Sequence, residues 1–275
     1  MSSVLLSKLS SDPFELLKQG CERPWEVAID PFLVAPQTYY VGNLWVGAYL
    51  IETSDGLILI DTTMQPQVYL VFESIRKLGF DPAHIKMILI SHMHYDHLGG
   101  LRTLKEASGA QVLMSRQDWD FMNSRPDQIF NLDYPFSVVE PDGFFDDETP
   151  VVLGDRKIQT LLTPGHTPGT TSFFFAAGEH FCGLHGGVGL NTLTDEFLLE
   201  MDLPVSSRDE YLSAMMRVRQ IPVDITLGSH PGQIGMIEKL DQIDDQFNPF
   251  VDREAWGKFI DGRIAQVRKL MEETA

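Results

Sequence analysis

The chain has 275 residues, of which 43% are hydrophobic, and it carries a net charge of −18 at pH 7. That charge disfavours nucleic-acid phosphates and anionic membrane surfaces, and no apolar run reaches the ~18 residues of a membrane span. We therefore expect neither nucleic acid nor a membrane as a partner, while the oligomeric state stays open. The 2 cysteines are too few for a disulfide framework.

The amino-terminal segment shows no targeting signal. Residues 1–8 lack the basic region and the long apolar stretch of a signal peptide. We expect a cytoplasmic protein if the chain is full-length, and a periplasmic or secreted one if a leader has been removed. Residues 1–35, with a short helix candidate at Pro13–Lys18, are predicted to be an extension that wraps the core. Residues 36–275 are predicted to be a single domain, because no linker or repeat divides them.

Strand-like and helix-like runs alternate along this domain, which predicts an α/β fold. Between Tyr39 and Asp61, two strand-like runs are separated by the hairpin-turn signal Ser54-Asp55-Gly56. The other predicted elements are, in order, a helix at Gln67–Leu78, a strand at Ile85–Ile90, a helix from Gly99 to Ala107, a strand at Gln111–Ser115, a helix start at Arg116–Met122, strands at Val151–Leu153, Lys157–Leu162, Thr171–Ala176 and His180–Gly183, a helix at Arg208–Arg219, a strand at Ile225–Leu227 and an amphipathic helix at Val251–Met271.

The most informative motif comes directly after the apolar strand Ile85–Ile90. Residues 91–100 read Ser-His-Met-His-Tyr-Asp-His-Leu-Gly-Gly. In an extended segment His92 and His94 point to the same side, because side chains alternate with period two. Asp96 and His97 lie past the bend and can turn toward a second point nearby. This arrangement suits two adjacent cations better than one.

Two further histidines follow apolar runs in turns bounded by glycine and proline. His166 lies in Thr-Pro-Gly-His-Thr-Pro-Gly, over residues 163–169, and His230 lies in Gly-Ser-His-Pro, over residues 228–231. Imidazole and carboxylate groups are ligands that zinc prefers, although iron, manganese or cobalt accept them as well. The sequence therefore predicts a transition-metal centre.

Together these motifs resemble the metallo-β-lactamase superfamily of zinc hydrolases, from about Tyr39 to Gln233. The most similar branch is the third subclass of metallo-β-lactamases, whose ligands are five histidines and one aspartate, with no cysteine. The resemblance implies a four-layer αββα sandwich and two zinc ions. It implies that His92, His94 and His166 bind the first zinc, and that the second zinc is bound by Asp96, His97 and His230.

The resemblance also implies a function for this centre. We expect a dinuclear zinc hydrolase that opens a cyclic amide, above all a β-lactam, by attack of a metal-bridging hydroxide that Asp96 helps to orient. Asp61 is expected to support a ligand histidine from behind, with a turn or helix cap as its alternative role. A lactone or ester hydrolase with the same metals is the second hypothesis. A metal-binding or redox protein without hydrolytic activity is the third.

The chain departs from its relatives after Phe181. Glyoxalase-like and phosphodiesterase-like relatives carry Gly-Asp here, and that aspartate bridges both metals. This chain has Cys-Gly-Leu-His-Gly-Gly over residues 182–187 instead. His185 is then an additional ligand, a substrate contact or a histidine bonded to backbone, and of the two functional alternatives we favour the substrate contact.

A substrate wall is harder to predict. Aromatic residues with a few polar groups form small-molecule pockets, so Trp45, Tyr40 and Asn191 are the candidates. Residues 123–150 form a long irregular segment of the kind that often carries function.

Overall fold

The computed structural model describes residues 2–126, 137, 139–244 and 247–274. Its strands form one sheet of seven strands and one of five. The first sheet contains, in spatial order, β1 (Phe32–Ala35), β2 (Thr38–Tyr40), β3 (Tyr49–Thr53), β4 (Gly56–Ile60), β5 (Ile85–Leu89), β6 (Gln111–Met114) and β7 (Gly143–Phe144). The second contains β8 (Val151–Leu153), β9 (Arg156–Leu162), β10 (Thr171–Ala177), β11 (His180–His185) and β12 (Ile225–Gly228), also in spatial order.

The described residues also form ten α-helices, some of which pack on the outer faces of the two sheets. They are α1 (Ser2–Leu6), α2 (Pro13–Glu22), α3 (Val68–Lys77), α4 (Tyr95–Leu98), α5 (Leu101–Ser108), α6 (Arg116–Ser124), α7 (Asp195–Glu200), α8 (Ser207–Val218), α9 (Met236–Lys239) and α10 (Ala255–Glu273). Within the described ranges, none of the helices is long and apolar enough to cross a membrane.

Three apolar clusters separate the layers. Ile58 and Phe173 belong to the core between the two sheets. Leu59 and Val71 belong to a second cluster, which joins the first sheet to α3 and α5. In a third cluster Phe174 packs against α8 and α10. Neighbouring residues of one strand, such as Phe173 and Phe174, thus face opposite layers, as period-two alternation requires. The predicted four-layer αββα sandwich is confirmed.

The amino-terminal segment is more ordered than the sequence indicated. The helix expected at Pro13–Lys18 extends to Glu22, and Phe32–Ala35 pairs with β2 as the edge strand of the first sheet. The last residues of the predicted extension therefore belong to the sandwich. All four residues of Phe32–Ala35 are apolar, so this short run shows no alternation in sequence.

The ends of several strands meet at one edge of the sandwich. The N–H of Thr171, at the start of β10, donates to the carbonyl of Ser91 beyond β5 (2.8 Å), which joins the two sheets. The Tyr49 hydroxyl donates to the carbonyl of Gly228 at the end of β12 (2.8 Å). The loops that follow β4, β5, β9 and β12 are thereby brought to the same place, and these are the loops that carry the predicted ligands.

Candidate metal centre

The first cluster contains His92, His94 and His166. The rings of His92 and His94 are 4.8 Å apart between centroids, and the His166 ring lies 4.9 and 4.7 Å from them. His166 sits in the hairpin turn between β9 and β10. Gly165, immediately before it, has φ of +127°, and a Cβ there would lie 2.3 Å from Cβ of Tyr211. Only glycine allows the turn to approach α8 so closely.

The second cluster contains Asp96, His97 and His230. The three atoms that could bind a metal ion form an equilateral triangle. Oδ2 of Asp96 lies 3.4 Å from Nε2 of His97 and 3.4 Å from Nε2 of His230, and the two nitrogens are 3.4 Å apart. Three ligands that bind a zinc ion tetrahedrally at about 2.1 Å would lie about 3.4 Å from one another. The second cluster therefore has the dimensions of a zinc site.

The outer nitrogens of four histidines are bound to protein acceptors. Nδ1 of His166 donates to the carbonyl of Gly189 (2.8 Å), and Nδ1 of His230 donates to the carbonyl of Trp45 (2.8 Å). Nδ1 of His97 donates to Oδ2 of Asp61 (2.8 Å), and Nδ1 of His92 lies 3.0 Å from the Ser91 hydroxyl. In a neutral imidazole whose Nδ1 carries the proton, Nε2 presents its lone pair to the cluster. The arrangement fits metal ions.

Asp61 connects the two clusters. Besides His97, its carboxylate accepts the Ser91 N–H (2.8 Å) and the Ser91 hydroxyl (2.7 Å), whose oxygen in turn accepts from His92. One buried carboxylate thus orients a histidine of each cluster, directly in one case and through Ser91 in the other. Asp61 adopts φ of +59°, which aspartate tolerates better than most residues. The sequence predicted the contact to a ligand histidine but gave no sign of the link through Ser91.

The two clusters differ in their proton affinity. Burial lowers the pKa of His94 to about 4, and burial together with neighbouring imidazoles holds the pKa of His92 and His166 well below the usual range. For His97, burial opposes the charged form, but the carboxylates of Asp96 and Asp61 raise its pKa to about 10. Without metal at neutral pH, the histidines of the first cluster are therefore neutral, whereas His97 is positively charged and carries a second proton on Nε2.

We expect zinc binding to the second cluster to strengthen by about tenfold per pH unit between about pH 6 and about pH 8, because the metal has to displace the His97 proton. The sign follows from a raised pKa, since deprotonation becomes easier as the pH approaches 10. Binding to the first cluster should be nearly independent of pH over this range. Competition titrations with a chromophoric chelator on His166→Ala, which keeps the second cluster, and on His230→Ala, which keeps the first, will measure both. Equal slopes would contradict the assignment.

His185 belongs to neither cluster. Cys182 and Leu184 point into the core between the sheets, so His185 faces the opposite side of β11, toward α8 and α10. It is 1% exposed, and its Nδ1 accepts the N–H of Gly187 (3.3 Å). Burial and the nearby Arg263 charge lower its pKa to about 3. This position favours the third predicted role of His185, a histidine bonded to backbone, and gives no support to the predicted substrate contact.

The three substrate-wall candidates have different surroundings. The Trp45 ring is partly exposed and lies 6.0 Å from the His230 ring, beside the second cluster. Asn191 is exposed and follows the segment whose Gly189 carbonyl accepts from His166. Tyr40 is 0% exposed, because it points inward from β2 and its hydroxyl donates to the carbonyl of Asn43. Tyr40 is a core residue, and its predicted place in the wall is wrong. Part of the predicted 123–150 segment, residues 127–136 and 138, lies outside the described residues.

Comparison with known proteins agrees with this geometry. The family model of the metallo-beta-lactamase superfamily matches residues 46–181. Among solved structures, the chain is similar to BJP-1, a subclass B3 metallo-beta-lactamase of Bradyrhizobium japonicum, with a TM-score of 0.84 and 28% identity over 92% of this chain and 97% of that one.

Two curated proteins show similarity at the level of sequence. YobT, an uncharacterized protein of Bacillus subtilis, is 29% identical over 56% of this chain and 69% of its own length. An N-acyl homoserine lactonase of Bacillus cereus is 28% identical over 65% of this chain and 77% of its own length. The chain spans less than two thirds of several other curated relatives, for example 58% of an N-acyl homoserine lactonase of Bacillus thuringiensis.

The family match covers five of the six predicted ligand positions, which are His92, His94, Asp96, His97 and His166. The chain belongs to the metallo-β-lactamase superfamily, as a metal-dependent hydrolase whose structural neighbours are subclass B3 enzymes.

Proposed function

We propose that the protein is a two-zinc hydrolase that opens the cyclic amide of β-lactams. The observation that carries this proposal is the composition of the centre. Within the described residues, five histidines and one aspartate form two adjacent clusters of three, and Asp96 is the one carboxylate among them. The rings of His92 and His97, one from each cluster, are 4.2 Å apart, so the two sites are neighbours. The similarity to BJP-1 extends over 97% of that chain, which supports the same substrate class.

Each cluster would bind one of the two zinc ions. Two zinc ions, when bound, would make a water acidic enough to supply a nucleophile near neutral pH and would polarise the substrate carbonyl. His92, His94 and His166 would bind the first ion, and the second cluster would bind the other. Burial disfavours the charged form of Asp96, yet the charges of His97 and His230 hold its pKa well below the usual range. Asp96 is therefore ionised at neutral pH. As a carboxylate it can bind a metal ion and can accept a hydrogen bond from a neighbouring group.

A lactone hydrolase is the second candidate. It is favoured by the curated relatives, several of which are named N-acyl homoserine lactonases. A lactone and a β-lactam both present a strained or activated carbonyl to the same two metals, and they differ in the leaving atom. The substrate is in either case a small molecule. Selection between the two depends on the residues around the centre, of which Trp45 and Asn191 are the candidates.

The decisive experiment is a parallel assay on zinc-loaded protein with nitrocefin and with an acyl-homoserine lactone. We expect nitrocefin hydrolysis with the higher kcat/KM, and elemental analysis of the same sample should find close to two zinc equivalents per chain. A preference for the lactone would replace the first candidate with the second. Protein that binds two zinc ions but turns over neither substrate would reject both substrates, and a single equivalent under excess zinc would reject the two-metal centre.

A further inference from the structure

Asp118 is a buried carboxylate that the centre described so far does not use. It lies in α6 with 0% exposure. Its backbone N–H is accepted by the Ser115 hydroxyl, the amino-terminal cap of that helix (3.2 Å), so the residue begins as part of an ordinary helix start. In sequence, serine followed three residues later by aspartate indicates only such a cap. The side chain itself points elsewhere.

Its three hydrogen bonds all reach the two segments that carry the first cluster. Oδ2 accepts the N–H of Met93 (2.9 Å), which lies between the ligands His92 and His94. Oδ2 also accepts the hydroxyl of Thr167 (2.9 Å), the residue directly after His166. Oδ1 accepts the N–H of Gly169 (2.6 Å), in the same turn. One carboxylate thus bridges segments that are about seventy residues apart in the chain, as the spacing from Met93 to Thr167 shows.

The backbone at Gly169 lies very close to Ser115 and Asp118. A Cβ at this position would lie 2.0 Å from the Ser115 hydroxyl oxygen and 2.8 Å from Cγ of Asp118. Only glycine lets the turn lie directly on the carboxylate. Burial raises the pKa of Asp118 to about 6, and the bonds from Thr167, Gly169 and Met93 oppose that rise by favouring the ionised form. Burying a carboxylate costs free energy even when three donors bind it. This cost indicates that the positions which Asp118 imposes on its three partners have a function.

We propose that Asp118 is a positioning residue for the first metal site, which holds the His92–His94 segment and the His166 turn at a fixed separation so that three imidazoles converge before a metal arrives. The inference rests on the proposed two-metal centre and adds a residue that touches neither metal nor substrate. Outer partners of this kind change metal affinity by about 10–100-fold when they are removed. Its effect should be confined to the first cluster, because all three donors belong to that cluster's segments.

The test isolates each cluster in turn and measures zinc affinity in place of activity. In the His230→Ala background, which keeps the first cluster, Asp118→Asn should raise the zinc Kd by about 10–100-fold. The asparagine amide must direct its own N–H groups at the N–H of either Met93 or Gly169. In the His166→Ala background, which keeps the second cluster, the same change should leave the zinc Kd within about threefold. Asp120→Asn is the matched control, because Asp120 is exposed on the same helix and should change neither Kd.

The thermal unfolding of each metal-free variant separates positioning from a general structural role. A purely structural aspartate would lower the unfolding temperature and shift both affinities together. An unchanged first-cluster Kd in Asp118→Asn would overturn the proposal. If that variant does not fold, Thr167→Val removes one of the three donors and should still weaken the first cluster selectively, by about three- to tenfold; no change there would overturn the proposal as well. Wild-type protein that takes up no zinc would instead reject the two-metal centre itself.

Discussion

We expect His166→Ala to lower turnover by more than about a hundredfold while the metal-free protein still folds. His166 is one of the three candidate ligands in the first cluster. The loss of a direct ligand should exceed the 10–100-fold effect of losing an outer partner. Its turn is fixed independently of the imidazole, because Thr163 and Thr170 are hydrogen bonded across it (2.7 Å) and Gly165 packs on α8. The measurements are kcat at saturating zinc, zinc equivalents per chain and the circular dichroism spectrum of the metal-free protein.

The control for His166→Ala is His84→Ala. His84 is exposed in the turn before β5. It therefore lies at the amino-terminal end of that strand, whereas the cluster residues follow the carboxyl-terminal ends of their strands. Its removal changes the histidine count without touching either cluster, so turnover and zinc content should equal those of the wild type. Wild-type turnover and two zinc equivalents in His166→Ala would show that the first cluster is misassigned.

We expect Asp61→Asn to reduce zinc affinity at both clusters by about 10–100-fold, even though Asp61 belongs to neither cluster. The asparagine keeps the size of the side chain and tolerates the left-handed backbone at φ of +59°. It removes the charge that orients His97, and it places an amide donor against either His97 or Ser91. His92, which depends on the Ser91 hydroxyl, is affected through the same carboxylate. Zinc titrations in the His230→Ala and His166→Ala backgrounds measure the two effects separately.

Ser91→Ala distinguishes the direct contact from the relayed one. This change removes the hydroxyl that joins His92 to Asp61 and leaves the bond from His97 to Asp61 in place. We therefore expect it to weaken the first cluster and to leave the second within about threefold. Asp55→Asn, in the exposed turn between β3 and β4, is the neutral control. If Asp61→Asn weakened the second cluster alone, the link through Ser91 would contribute nothing to metal binding.

The residues of the two clusters could be predicted to lie together because their signals are local. Four of the residues lie within six positions at the end of an apolar strand: His92, His94, Asp96 and His97. His166 and His230 follow similar apolar runs. Patterns of this length are set by strand alternation and turn chemistry, which act between near neighbours. The layered fold follows for the same reason, since alternating apolar strands and amphipathic helices must bury their faces against one another.

The sequence did not determine which direction several other side chains take. Tyr40 and His185 were both candidates for the site, yet one points into the core between the sheets and the other faces the helices behind β11. A strand residue's face depends on the register of its strand within the sheet, and a shift of one residue would reverse it. Neither register is visible in the few residues around each position.

The supports behind the ligands were decided by tertiary structure alone. Asp118 follows a helix cap in sequence, and Ser91 is only the residue before a histidine. Their partners come from segments distant in the chain, Met93 and Thr167 in one case and Asp61 in the other. The residues of the two clusters can therefore be predicted from short motifs, because the prediction requires only a suitable residue type at the end of a strand. The hydrogen bonds that orient those ligands exist only after the two sheets have packed and their loops have met at one edge.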